Sequence, residues 1–373
     1  MNQGTFLRGY LWVKLGILFS IALIISIFSM FPWAVEHYYS LGIYPGLSST
    51  LRMLTRRIPF SLGDILYSIL IIILLLQASK GVILLYKKQY SQDSFVLFLF
   101  RLTKNILCVY IIFQLFWGLN YHRLGIASQL KIDKNEYTKE EVVQLTHQLI
   151  EKLNVCRRQI KDTLLPSPAL DSIYREAYKS YQQVSVPYEF LNYRNRSVKE
   201  SLFSRVGDYM GFTGYYNPFT GEAQLRTDIP RVLVPFITCH EMAHQLGYAS
   251  ESEANFVGYL AASASSDVYF RYSVYLDLFS YAQGEEILLF GKEKDFKKFE
   301  SVFKENRDCL DTLVKKDRRE IRDFFNQRKN RISPAVSSLY DQYLKMNKQL
   351  KGVESYNEVV GWLIGYEKKF GKI

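Results

Sequence analysis

The chain has 373 residues, 48% of them hydrophobic, with 28 Tyr, 25 Phe and only 10 Pro. This accommodates two or three folding units and excludes a disordered tail or a small disulfide-stapled domain. The formal charge of +11 is unevenly placed: residues 1–121 carry 10 Lys+Arg against 3 Asp+Glu, the remainder 37 against 33. Basicity confined to an apolar third reads as membrane flanks and excludes a dominant nucleic-acid surface.

Three stretches, about 12–35, 62–86 and 95–121, are predicted to cross a bilayer. Leu15 to Val35 has no formal charge, and Ile65 to Tyr86 is interrupted only by Gln77 and Lys80. Asn105 to Tyr121 is uncharged, and Phe95 to Phe100 extends it past Arg101 and Lys104. A helix crossing hydrocarbon needs about 20 such residues. None of the three has a polar face for water, which argues against buried core helices. The first is expected to be a retained anchor: its apolar run is too long for a signal peptide, and no small-x-small site occurs at Phe31-Pro32-Trp33.

With the N-terminus in the cytoplasm, Arg8, Lys14, Lys80, Lys87, Lys88, Arg101 and Lys104 fall inside, and Arg52, Arg56 and Arg57 outside in a short loop. The count favours that orientation and places the C-terminal part on the far side of the membrane, which in a bacterial inner membrane is the periplasmic side. Asp64, at the start of the second span, is expected to satisfy the first free helix amides. An intramembrane transport acid is the alternative.

After Asn120-Tyr121-His122-Arg123 the texture changes, dividing a membrane domain, 1–122, from a soluble domain, 123–373. Thr138-Lys139-Glu140-Glu141 is a capping-box signature opening an amphipathic helix through Leu153. A second helical pattern runs from Ala169 to Gln183. Gly207 to Tyr216 reads as a strand, Asn217 to Gly221 as a turn and Glu222 to Arg226 as the partner strand. Helical texture returns at Val232 and continues nearly to the end. Within it, Lys315 to Arg331 is rich in Lys and Arg and reads as a solvated helix face with i,i+4 ion pairs, a lipid or nucleic-acid patch being the alternative. Cys108, Cys156, Cys239 and Cys309 form no CxxC pair, which suggests neither a zinc ribbon nor a disulfide framework.

Two of the five histidines fall in His240-Glu241-Met242-Ala243-His244. The apolar run from Val232 to Cys239 precedes them and Gly247 stops it, so the motif occupies the last turns of a buried helix. The i,i+4 spacing puts both imidazoles on one face, where each can offer a ring nitrogen to one ion at about 2.0–2.1 Å. Glu241 lies beside them, placed to take a proton from water. Two core histidines with a structural ion pair are the bland alternative. A third ligand is sought after Gly247, in Ser250-Glu251-Ser252-Glu253-Ala254-Asn255. Glu251 is preferred. Glu253 competes, although Ser250-x-x-Glu253 is itself a capping box. Asn255, one helical turn after Glu251, could support a ligand histidine. Cys239 reads as a small buried hydrophobe, and His37, His122 and His147 as unrelated to the motif. Tyr215 and Tyr216 could donate to an oxyanion, ordinary strand packing being the alternative.

HEMAHQLG followed by Glu-x-x-Ala-Asn resembles the gluzincin metallopeptidases. The three spans, Phe116-Trp117-Gly118-Leu119-Asn120-Tyr121 and Gly214 to Gly221 also resemble an uncharacterised bacterial family of membrane proteins. The gluzincin resemblance implies a zinc peptidase with His240, His244 and Glu251 as Zn²⁺ ligands and Glu241 as general base. Asn255 stands where those enzymes carry a supporting Asp or Asn. The expected architecture is mostly α: three membrane helices followed by a predominantly helical zincin-like domain with a small β-hairpin or sheet. Expected partners are a peptide or protein substrate and the lipid bilayer, with no nucleic acid. A membrane-anchored scaffold with a structural metal site is the alternative, and a transporter a weaker one.

Overall fold

The computed structural model describes residues 3–86, 92–132, 137–161, 164–294, 296–330, 333–346 and 358–373. Lys87, Lys88 and Arg331, which entered the charge arguments, lie outside the described residues. The protein is mostly helical, and three of its helices are long and apolar enough to cross a membrane. These are α1 (Gln3–Ser29), the later α3 (Leu62–Tyr86) and α4 (Gln92–Phe116). Large apolar side chains along them, such as Ile24, Leu75 and Val109, lie bare of protein, as lipid-facing residues do.

The first span ends earlier than the hydropathy suggested. Pro32 has no N–H and its ring clashes with the preceding turn, so α1 stops at Ser29 and the chain restarts at Pro32. It then winds as a π-helix over Val35–Ile43 and continues as α2 (Tyr44–Thr55). The expected short outer loop with three arginines is therefore largely helix, and its Arg52 is buried. The third span likewise gives way at Trp117 to a 3₁₀ turn over Gly118–His122.

Beyond the spans, α5 (Lys139–Gln159) opens with the capping box read from the sequence: the Glu141 amide donates to Thr138 Oγ1 and the Thr138 amide to Glu141. After α6 (Leu170–Val184) come β1 (Val198–Glu200), β2 (Gly214–Asn217) and β3 (Glu222–Leu225). The order is β1-β3-β2, with β1 parallel and β2 antiparallel to β3. The hairpin is shorter than expected, because Gly207–Met210 forms a helical turn that Gly211 ends in the left-handed region. Seven helices complete the described chain: α7 (Val234–Gln245), α8 (Glu251–Ser263), α9 (Val268–Glu293), α10 (Phe296–Cys309), α11 (Thr312–Gln327), α12 (Ser333–Met346) and α13 (Val359–Phe370).

The main core gathers apolar faces of α5 to α9 and α13 with the sheet. A smaller one packs Ala22, Ile25 and Ile111 of the spans with Tyr39, Tyr44 and Trp117, and takes in Ala249 from the α7–α8 connection. Polar groups fasten the same seam. Asp64 is fully buried, but it does not cap its own helix: it accepts from the Leu202 amide at 2.7 Å and from the Tyr215 hydroxyl at 2.5 Å. The free amides at the start of α3, Leu62 and Gly63, donate instead to Glu222 of β3. An acid reaching in from the sheet thus does what the sequence assigned to Asp64, leaving Asp64 to tie the span to the sheet.

Candidate metal centre

Every residue of α7 from Val234 to Gln245 is buried. A helix so enclosed must find partners for its polar groups inside the protein. The Tyr181 hydroxyl donates to the Cys239 carbonyl at 2.6 Å. At the C-terminus, where carbonyls are left over and the helix dipole favours a cation, Ser48 and Arg52 of α2 donate to the Gln245 carbonyl at 2.7 and 2.8 Å. The Gln245 side chain donates to the Ser197 and Gly221 carbonyls and accepts from Tyr193. Gly247 then turns the chain with φ +91°, conformational space that Gly enters freely, and α8 begins four residues later. Small residues let α8 lie close to α7. A Cβ on Gly258 would stand 3.1 Å from the His240 backbone nitrogen.

This approach brings Glu251 to the two imidazoles. Glu251 Oε2 lies 3.2 Å from His240 Nε2 and 3.6 Å from His244 Nε2. An ion with tetrahedral bonds of about 2.0–2.1 Å holds its ligand atoms about 3.3–3.4 Å apart. The two edges that meet at Glu251 are thus close to those of a tetrahedron around a divalent cation, and the three ligand atoms all lie within 4.8 Å of one another. The far ring nitrogens fit as well. His244 Nδ1 lies 2.7 Å from the Tyr248 carbonyl and His240 Nδ1 2.8 Å from Asn255 Oδ1. Both partners are acceptors, so each Nδ1 donates and each Nε2 is turned to the centre of the cluster. Trp117 covers His244 edge-on at 5.9 Å between ring centroids.

The two acids of the site are held in opposite ways. Burial disfavours charge on Glu251, but hydrogen bonds and attraction from His240 and His244 outweigh it and hold the carboxyl well below its usual range. For His244 burial works downward, and its hydrogen bond to Glu251 with the surrounding carboxylates pushes it up to about 9. Glu241 is only 4% exposed, its Oε2 has no hydrogen-bond partner, and burial pushes it up to about 7 against the pull of the two histidines. A Cβ on Gly214 of β2 would stand 2.6 Å from Glu241 Oε1, so the bare backbone there makes the room this carboxylate occupies.

His240, His244 and Glu251 are thus brought together, with Glu241 beside them and Asn255 behind His240. Glu253 is not at the cluster. It accepts from the Ile126 amide at 2.7 Å, and Ser250 makes no side-chain cap bond to α8, so the expected capping box is absent. Cys239 is fully buried, and burial raises its thiol. His37 stacks on Trp33, His147 faces Glu305 at 4.0 Å, and neither they nor His122 belong to the cluster. Tyr215 and Tyr216 border the site, but their hydroxyls are engaged with Asp64 and Ser201 and with Tyr44 respectively. The Tyr248 carbonyl, Gly214, Trp117 and Arg52 were not assigned to the site from the sequence: Arg52 entered only as a loop charge, and Trp117 and Gly214 only within the segments shared with the membrane family.

The cluster opens on a cleft of about 2070 Å³. Its walls include the edge strand β2, Tyr67, Leu70, Ile71 and Leu74 of the second span, and Lys315, Arg318, Arg319 and Arg322 of α11. The Lys315–Arg331 segment is therefore only partly the solvated face expected: Lys316 pairs with Glu320 along the helix, while other cations line the cleft.

Comparison with protein families gives one match, over residues 39–364, to a family described as protein of unknown function (DUF3810). The chain belongs to the DUF3810 family. The matched region takes in the second and third spans, the sheet, the His-His-Glu cluster and the cationic helix α11. Comparison with curated proteins and with solved structures returns no match.

Proposed function

We propose that this member of the DUF3810 family is a membrane-anchored, zinc-dependent peptidase of gluzincin type, its site on the periplasmic face. The observation that carries the reading is the convergence of His240, His244 and Glu251, whose ligand atoms lie within 4.8 Å of one another, beside a buried acid with an unpartnered oxygen. Two imidazoles and one carboxylate suit zinc and leave a fourth position open, which is the catalytic and not the structural pattern. Zinc held there would supply Lewis acidity for water and for the carbonyl under attack.

The chain's own residues do the rest. Asn255 and the Tyr248 carbonyl fix both imidazoles with Nε2 inward. Glu241, free of any competing donor at Oε2, takes a proton from water and returns it to the departing amine. Its position near neutrality suits both halves of that exchange. Strand β2 is one of the two outer strands of the sheet and lines the cleft, so an extended peptide can add to it as a further strand and pass the cluster.

The full chain, purified in detergent, should carry about one zinc per molecule. Glu241→Gln should keep the zinc and lose about 10²–10⁴-fold of turnover on a fluorogenic peptide library. Undiminished proteolysis in that variant, or zinc absent from the wild type, would remove the reading.

A further inference from the structure

The cleft is larger than the roughly 300–1,000 Å³ of pockets that enclose small molecules, which points to a polymer. One of its walls is a membrane span. Tyr67, Leu70, Ile71 and Leu74 follow an i, i+3, i+4, i+7 pattern and so form one stripe of α3. Leu70 is 45% exposed and Leu74 63%. At 1.5 Å per residue, Leu74 lies about 18 Å along the helix from Leu62, on the order of half the hydrocarbon thickness.

A second apolar surface sits beside this stripe. The bond from the Leu202 amide to Asp64 pins the 202–210 segment to the first turn of the span. Leu202, Val206, Tyr209 and Met210 are exposed there, and Val206 and Met210 also line the cleft. The mouth therefore opens at the level where the span enters the bilayer, flanked by apolar side chains. The opposite wall is cationic. Arg307, Lys315, Arg318, Arg319 and Arg322 line it, whereas among the described residues the one acid on the cleft wall away from the cluster is Asp277.

We infer that the substrate is a membrane-tethered polypeptide with acidic residues near the cleaved segment: its tether lies along the Tyr67–Leu74 stripe and its acids face Arg318, Arg319 and Arg322. This inference rests on the peptidase reading and names its substrate class. A tether held at the bilayer lowers the cost of ordering the peptide on β2, and the cationic wall selects and orients it. A soluble peptide would gain only the second contribution.

The test reads binding, so that it does not depend on turnover. The full-length Glu241→Gln chain is placed in neutral phosphatidylcholine vesicles with a short acidic peptide bearing an acyl chain that ends in a photoreactive group. The same acylated peptide with lysines in place of its acids is the control. Adducts should map to residues 67–74, and the acidic peptide should bind at least about tenfold more tightly than the lysine peptide. Arg319→Glu with Arg322→Glu, both exposed positions, should abolish that preference. Adducts spread evenly over all three spans, or a preference untouched by the charge reversal, would overturn the inference. So would loss of the preference when anionic lipid is added, which would mean that the arginines hold headgroups. Wild-type enzyme that cleaves free and tethered peptides at equal rates would overturn it while leaving the peptidase standing. Mapped binding without any cleavage would support the docking surface and remove the peptidase.

Discussion

On one side of the cleft, α7 and α8 bury nearly every side chain, and the polar groups there are held by fixed partners: Asn255 and the Tyr248 carbonyl behind the imidazoles, Arg52 and Ser48 on the last helix carbonyls. On the other side, the span presents exposed leucines and α11 the exposed Arg319 and Arg322, while the half-buried Arg318 donates to Gln283 at 2.6 Å and lies over the Phe279 ring. Among the described residues, Arg322 pairs with its exposed neighbour Asp323 at 3.6 Å. A buried polar wall is rigid because any displacement leaves a group unpaired in a low dielectric. An exposed cationic and apolar wall can adapt and gains most when something covers it. The first arrangement fits chemistry and the second recognition, so damage to the two walls should be separable.

The largest effect should come from the ligand that sequence reasoning left in competition. Glu251→Ala should weaken zinc binding by more than the roughly 10–100-fold typical of a supporting residue, and abolish activity. Glu253→Ala should leave zinc in place and deprive the Ile126 amide of a partner, costing about 1–3 kcal/mol of stability. Zinc content and unfolding midpoint, measured on both variants, separate these outcomes. Zinc loss in Glu253→Ala with zinc retained in Glu251→Ala would invert the assignment.

That competition marks how far the sequence is legible. Both motif histidines and Glu241 could be placed because the helical period fixes which residues share a face, and Asn255 because it follows Glu251 by one turn. The spans were legible for the same local reason, down to Pro32, whose break was underestimated. Long-range partners were not. Glu222 reaching the α3 amides joins residues 160 apart in sequence, and Arg52 at the end of α7 joins residues 193 apart. Nothing in a local window distinguishes Glu253, which serves Ile126, from Glu251, which serves the histidines. β1 has three residues and pairs in parallel with a distant strand, so it carries no alternation by which to recognise it.

A smaller loss should follow from moving the base without removing it. Gly214→Ala would place a Cβ within 2.6 Å of Glu241 Oε1 and push the carboxylate aside, while the three ligands stand on other elements. Turnover should fall about 10²-fold, the scale of an ångström's misplacement, with zinc content unchanged. Full activity in Gly214→Ala would mean that the chemical wall tolerates movement, and the contrast drawn between the walls would lose its basis.

The smallest effect concerns an acid that shares the environment of Glu241 but not its position. Glu286 of α9 is 1% exposed, and burial pushes it up to about 7, although it accepts from Asn306 at 2.9 Å. Its Oε1 is unpartnered, as Glu241 Oε2 is, but it does not line the cleft. Between an unfolded value near 4.5 and a folded value near 7, the native state holds a proton that the unfolded chain has released. Stability must therefore fall as pH rises through that window and level off above it. Glu286→Gln removes the titration, and its new amide can donate to Asn306 Oδ1, which also lacks a partner. The variant should be more stable than wild type above pH 7, by on the order of 2 kcal/mol, and no more stable at pH 4.5. Its peptidase activity should be unchanged. Thermal unfolding in detergent at the two pH values decides the matter: equal pH dependence in both proteins would show that this carboxyl is not held near neutrality. An acid equally shifted yet dispensable for turnover would establish that a raised pKa alone does not make a base here. What distinguishes Glu241 is its place between Gly214 and the imidazoles, on the wall where both histidine rings are fixed by their own partners.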